Sequence, residues 1–156
     1  MRAEPISLNT EVEALLTEAS LPVSDLPNCR SLNLLGMREG GRLVGVVGIE
    51  VYGALGLLRS LAVAQDRRNA GIGLGLVSNA ETWAAERGVK TLYLLTTTAA
   101  EFFARLGYEV VPRAEAPAAI AATAQFADLC PASSTFMRKV LSANYSLQRT
   151  SLTGRR

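Results

Sequence analysis

The stretch from Leu57 to Gly73 constrains this chain more than any other. It reads as an apolar strand, a short polar turn and a glycine-bearing entry into a helix running to about Arg87. A strand feeding straight into a helix aims several backbone N–H groups, and the positive end of the helix dipole, at one spot. Gly71 and Gly73 carry no Cβ, so an anionic group can approach the main chain there. Arg68, with Arg67 beside it, adds formal positive charge at the rim. The expectation is a phosphate or pyrophosphate site at the helix mouth. The plainer alternative is that the two glycines only ease a tight strand-to-helix turn.

Spacing separates the loops that fit this description. A dinucleotide fingerprint needs G-x-G-x-x-G, but counting from Gly71 and Gly73 puts Leu76 at the third glycine position, and counting from Gly73 and Gly75 puts Ser78 there. A P-loop needs a lysine after its last glycine, and none follows these. What is present is R-x-x-G-x-G, as Arg68-Asn69-Ala70-Gly71-Ile72-Gly73, preceded by Leu61-Ala62-Val63. This resembles the pyrophosphate-binding signature of the GNAT superfamily of acyl-CoA N-acyltransferases.

A length of 156 residues suits one domain with a real core. We expect that domain over residues 1–141 and a flexible basic tail over 142–156. With 49% apolar and 19% charged residues the composition argues against global disorder. A net charge of +2 gives no electrostatic case for nucleic acid or a membrane surface. Cys29 and Cys130 do not make a disulfide framework in a chain of this size, which points to a reduced, cytoplasmic setting. Met1 to Pro5 has no signal-peptide core, and no apolar run approaches the ~18 residues a bilayer requires. The absence of histidine excludes a Ser-His-Asp triad and any His-ligated metal; no metal cofactor is expected.

Along the chain, Ile6 to Leu8 reads as an opening strand. Thr10 with Glu13 has capping-box spacing before a helix whose apolar face is Val12, Leu15 and Leu16. Leu21 to Pro27 is a loop with two proline breaks. An antiparallel meander follows: Leu32–Met37, a turn at Glu39–Arg42, Leu43–Tyr52, and Leu55–Ala64. Alternation groups Glu50 with Gly48 and Tyr52, and Arg59 with Leu57, Leu61 and Val63. In the helix opened by the glycines, Leu76, Val77, Ala80, Trp83 and Ala84 form the buried face, Glu81 faces water, and Gly88 stands at the C′ position. Thr91–Thr96 is a strand reached by a right-handed crossover, hence parallel to the one before the helix. Thr98 and Glu101 form a second capping box, Tyr108–Val111 a strand, Pro117 to about Leu129 an alanine-rich helix, and Thr135–Leu141 a closing strand.

The order of these elements is also that of the GNAT superfamily, and the resemblance covers about Arg42 to Leu141. It implies an α/β (α+β) fold with a mixed central sheet, helices on both faces, and a splayed V between the fourth and fifth strands. Leu94–Thr98, Phe102–Tyr108 and Gln125–Pro131 are similar to segments of the N-acetylglutamate-synthase-like branch, and closer still to acetyltransferases linked to arsenic-resistance operons. The family implies acetyl-CoA as co-substrate. Its pantetheine arm would lie on the backbone of Leu61, Ala62 and Val63, and its pyrophosphate on Arg68 and the N–H groups of Asn69, Ala70, Gly71, Ile72, Gly73 and Leu74. The thioester would sit in the V, polarised by a backbone N–H near Leu61 or Val63.

An α-amine titrates near ~8, so roughly a tenth is already neutral at pH 7, and an amino-acid-like acceptor needs only a weak base. Glu50 is the candidate; otherwise it is a solvated strand-end charge. Many family members have tyrosine where this chain has Phe103, leaving Tyr108, Thr97 or water to protonate the departing thiolate, or the thiolate to leave unassisted. Arg59 is either a clamp for an acceptor carboxylate or half of a structural ion pair. Thr123 and Gln125 either line the acceptor pocket or form the wet face of their helix. Cys130 is read as a buried core thiol. The leading expectation is an N-acetyltransferase for a small amino-acid-like amine, tied to arsenic resistance or amino-acid metabolism, with a homodimer left open. The alternatives are a non-catalytic acyl-CoA-binding regulatory domain and a protein N-acetyltransferase.

Overall fold

The computed structural model describes residues 2–129 and 133–141. In chain order the elements are β1 (Glu4–Ile6), α1 (Thr10–Glu18), β2 (Leu32–Glu39), β3 (Arg42–Tyr52), β4 (Leu55–Val63), α2 (Ile72–Glu86), β5 (Thr91–Thr96), α3 (Ala100–Arg105), β6 (Glu109–Val110), α4 (Ala118–Ala121) and β7 (Thr135–Val140). The seven strands make one mixed sheet in the order β1-β2-β3-β4-β5-β7-β6. By compactness the chain divides into two units, residues 1–51 with 58–83, and residues 52–57 with those from 84 onward.

In the first unit β1 and β3 both pair antiparallel with β2, the latter from Leu32↔Glu50 to Glu39↔Arg42. Every residue of β3 from Leu43 to Glu50 is buried. Because successive side chains of a strand point to opposite faces, both faces of β3 are covered. Helix α1 buries Val12, Leu15 and Leu16, the expected stripe. It is tied to the β2–β3 hairpin by Glu11, whose carboxylate accepts from the Leu43 N–H at 2.9 Å and from both terminal nitrogens of Arg38 at 3.1 and 3.3 Å.

The seat of α2 depends on Gly45. A Cβ there would lie 2.7 Å from Leu76 Cδ1 and 2.9 Å from Ile72 Cγ2, so the first turns of α2 rest on β3 where no side chain intervenes. Gly45→Val should therefore lower stability by about 1–3 kcal/mol through overpacking, read as a reduced urea midpoint with unchanged m.

In the second unit β5 runs parallel to the first residues of β4, pairing Leu55↔Thr91, Gly56↔Leu92 and Leu57↔Tyr93. On its other side β5 pairs antiparallel with β7, which also carries β6. The core here is Leu57, Tyr93, Val111, Ile120 and Phe136. Tyr93 stacks on Phe136 at 5.5 Å, and Phe126 meets Phe136 edge-on at 5.2 Å. Among the described residues no helix is long and apolar enough to cross a membrane.

Several local expectations are corrected. The opening strand is Glu4–Ile6, not Ile6–Leu8. Asn9 rather than Thr10 caps α1: its backbone is extended, as a cap requires, and its Oδ1 accepts from the Val12 N–H at 2.9 Å. The Thr98–Glu101 box does not form. Ala99 occupies the cap position of α3, and its N–H is taken by Thr96 Oγ1 at 3.0 Å. In α2, Glu81 is buried and Trp83 only partly so, reversing their expected exposures. The alanine-rich helix stops after one turn, with Pro117 at its cap rather than inside it. Thr123 Oγ1 donates to the Ile120 carbonyl at 2.7 Å and accepts from the Phe126 N–H at 3.2 Å, a local bonding pattern that competes with continued helix; a π turn, Gln125–Leu129, follows. The tail at 142–156 and Cys130 lie outside the described residues.

Candidate acyl-CoA and transfer site

Between β4 and α2 the chain makes a 3-10 turn, Gln65–Arg67, then an exposed segment from Arg68 to Gly71. Two of its residues have left-handed backbone, Asn69 at φ 66° and Gly71 at φ 80°. Asparagine and glycine are the residues that adopt this conformation most readily. The Gly75 N–H bonds the Gly71 carbonyl at 3.0 Å to start the helix ladder. By helix geometry the N–H groups ahead of it have no acceptor within the helix.

The loop is braced from outside. Asp66 takes both terminal nitrogens of Arg42 at 2.6 and 2.9 Å, Glu39 takes Arg67 at 2.8 Å, and Arg68 Nε donates to the Val63 carbonyl at 3.2 Å. Arg67 is thereby committed to Glu39, while Arg68 is exposed at the rim. A Cβ built on Gly71 meets nothing within 4 Å, so this backbone faces open space. The donors, the exposed guanidinium and the open approach together fit a pyrophosphate.

Upstream on β4, the pleat breaks at Ser60, which has φ 58°. Regular alternation therefore does not carry through to Leu61 and Val63, and Arg59 is buried whereas those two are half-exposed. Arg59 points into a closed polar cluster. Its Nη1 donates to Asp25 Oδ2 at 2.5 Å and to Glu50 Oε2 at 2.8 Å, its Nη2 to Asp25 Oδ1 at 2.8 Å, and its Nε to Ser60 Oγ at 3.1 Å. Gly48 makes the room: a Cβ there would fall 3.3 Å from the Arg59 carbonyl and 3.4 Å from its Cγ.

The side chains of Arg59, Glu50 and Asp25 are 0%, 2% and 17% exposed. Glu50 is thus not a solvated strand-end charge. Burial alone would raise the Asp25 carboxyl, but the Arg59 hydrogen bonds and charge outweigh it and hold that group below the usual carboxylate range. Burial, and next the Glu50 charge, push the neighbouring Cys29 thiol up, so it stays protonated. Ligand atoms of Asp25, Cys29 and Glu50 lie within 4.8 Å of one another, a donor set able to hold a cation. Arg59 already supplies that positive charge.

Asp25 and Cys29 are the members that sequence reasoning missed. The loop bearing them was singled out for its prolines, but a partnership across 34 residues leaves no local trace. The remaining candidates belong to the second unit. Thr97 is exposed at the end of β5. Tyr108 is buried, edge-on to Phe103 at 5.5 Å with Lys139 Nζ 5.6 Å above its ring. Thr123 and Gln125 are both buried, so neither forms a wet helix face, and the Thr123 hydroxyl is committed to its own backbone.

Over 74 residues the chain is 39% identical to an uncharacterized N-acetyltransferase of Chlorobaculum tepidum, a match covering 47% of this chain and 47% of that protein. The chain therefore matches about half the length of this curated relative. Among solved structures it superposes on N-acetylglutamate synthase from Neisseria gonorrhoeae, complexed with coenzyme A and N-acetyl-glutamate, with TM-score 0.72 at 18% identity, covering 90% of this chain and 35% of that one. It superposes on Tetrahymena GCN5 with TM-score 0.73 at 11% identity, covering 90% and 96%. At those identities the likeness is one of fold. The model of the acetyltransferase (GNAT) family matches residues 6–108, which include the Arg59 cluster and the whole glycine loop, and the chain belongs to that family.

Proposed function

We propose that this protein is an acetyl-CoA-dependent N-acetyltransferase acting on a small amine. The observation that carries the reading is the exposed Arg68–Gly71 segment at the mouth of α2, with left-handed backbone at Asn69 and Gly71, following the half-exposed Leu61 and Val63 on β4. On this reading Leu61, Ala62 and Val63 hold the pantetheine arm as an added strand would. Arg68 and the N–H groups from Asn69 to Leu74 receive the pyrophosphate. The co-substrate supplies an activated acyl group. The acceptor amine forms the new C–N bond as the C–S bond breaks, its proton passes to Glu50 directly or through water, and the thiolate takes a proton from Tyr108, Thr97 or water. Arg59 serves as the counter-ion of Glu50 rather than as a clamp for substrate.

The amino-acid-like acceptor and the arsenic-linked branch belong to the same proposal and rest on the resemblance of Leu94–Thr98, Phe102–Tyr108 and Gln125–Pro131, as do the acceptor roles of Thr123 and Gln125. The test is release of CoA thiol from acetyl-CoA with a panel of amines and amino acids. Release with none of them, despite acetyl-CoA binding, would return the protein to a non-catalytic binding role. With an acceptor in hand, Glu50→Gln should lower kcat about 10²-fold and steepen its rise with pH, because the amine must then arrive already neutral. Acetyl-CoA affinity should stay within about twofold. A wild-type pH profile in that variant would assign the proton to water alone.

A further inference from the structure

The geometry points to Arg42 and Asp66 as positioning residues that hold the glycine loop ready for acetyl-CoA, a role resting on the reading of that loop as the pyrophosphate site. Glu39 and Arg42 are the last facing pair of the β2–β3 hairpin, joined by the two-residue turn Gly40-Gly41. Asp66 and Arg67 are adjacent in the 3-10 turn that leads into the loop. The pairing is crossed by charge. The acid of the hairpin takes the base of the turn, and the base of the hairpin takes its acid. The Arg42–Asp66 pair is bidentate, at 2.6 and 2.9 Å, a geometry that fixes direction as well as distance. The Arg67–Glu39 bond, at 2.8 Å, adds a second point of attachment, which opposes rotation about the first.

The hairpin tip is itself held from behind. Arg38 Nη1 donates to the Gly41 carbonyl at 2.9 Å, and Arg38 is anchored by Glu11 of α1, which also accepts from the Leu43 N–H. A chain of polar contacts therefore runs from α1 through the hairpin to Arg67, the neighbour of Arg68 in sequence. The four side chains of the crossed pairs carry no net charge, so they add position to the site rather than attraction for an anion. Residues 68–71 are exposed, and ordering an exposed segment costs a ligand affinity unless its entry is fixed beforehand. The side chains of Arg42 and Asp66 are 53% and 63% exposed, and ion pairs of that kind add little to the stability of a fold. Their effect should therefore appear in acetyl-CoA affinity and not in the stability of the free protein.

The experiment is a cycle of Arg42→Gln and Asp66→Asn in the full chain, read as the Kd of acetyl-CoA by titration calorimetry with the stoichiometry left free, so that any unfolded fraction drops out. Each single variant should weaken binding about three- to fivefold, the size an exposed ion pair can supply, and the double variant should bind no worse than either. Asp66→Glu, which keeps the carboxylate, should recover most of the affinity. Urea midpoints of the free proteins should stay near that of the wild type. If Arg42 instead attracted the anion directly, Asp66→Asn would release its guanidinium and tighten binding. Unchanged or tighter binding in Asp66→Asn, losses that add in the double variant, or no recovery in Asp66→Glu would overturn the proposal. A urea midpoint lowered in step with the affinity would also overturn it and leave the pairs a brace of the fold alone. Full binding of acetyl-CoA by Gly71→Val would instead overturn the reading of the loop, and this role with it.

Discussion

Replacing Arg59 with methionine should cost about 3–5 kcal/mol of folding stability at neutral pH, the range for removing one partner from a buried ion pair. The loss comes from what is left behind rather than from the deleted bonds. Asp25 is 17% exposed and can recover some hydration, whereas the Glu50 side chain is 2% exposed and cannot. The penalty should therefore concentrate on Glu50. In a Glu50→Gln background the same substitution should be milder by about 1–3 kcal/mol, a coupling measured by urea unfolding of the four proteins in the cycle. Additive losses would mean that Arg59 stabilises the fold through other contacts.

The pH dependence carries the opposite sign in the two proteins. In the wild type Asp25 is held below its ordinary value, so the folded state binds fewer protons than the unfolded chain as pH falls toward ~4. Its contribution is complete above that pH and is lost as pH drops through the lower folded value. In Arg59→Met the buried Glu50 and the part-buried Asp25 face each other without that guanidinium, and the folded state gains by taking up a proton. Its stability should rise on mild acidification from neutrality, where the contribution of Asp25 in the wild type stays flat.

Gly71→Val should abolish the stabilisation conferred by acetyl-CoA, which for a competent protein is about 2.7 kcal/mol at a hundredfold excess over Kd. Two effects act together. A β-branched residue at φ 80° strains the loop, and its side chain fills the space through which an anion would reach the backbone. Gly53→Val separates them, because Gly53 has φ 66°, also meets nothing within 4 Å, and sits in the β3–β4 turn rather than in this loop. Both variants should lose basal stability, but only the Gly53 variant should keep the acetyl-CoA shift in thermal midpoint. A full shift in Gly71→Val would sink the assignment of this loop to the pyrophosphate.

Much of the architecture was legible because it depends on short-range patterns. The β3 run of β-branched residues, the turn glycines, the 3–4 spacing in α2 and the strand–helix–strand order all act over a few residues, and each element came out in place. Errors fell where a side chain bonded outside its own pattern. Asn9 took the cap assigned to Thr10, Ala99 took the one assigned to Thr98 with its N–H held by Thr96, and Thr123 ended a helix that its alanines would have continued. Helix propensity is worth only tenths of a kcal/mol per residue, so one such bond can decide the outcome.

What the sequence determined by itself is the strand, turn and helix around Arg68–Gly73, since left-handed backbone at Asn69 and Gly71 is a property of those residue types and needs no partner. The state of Glu50 and Arg59 is another matter. Each could be placed on its strand from the sequence, but a carboxylate beside water and one beside a buried guanidinium have the same local sequence. The tertiary structure decided between them. It brings the loop after α1 against β4, seats Asp25 on the guanidinium fork, and closes both charges away from solvent, where Coulomb attraction is strong enough to hold the pair.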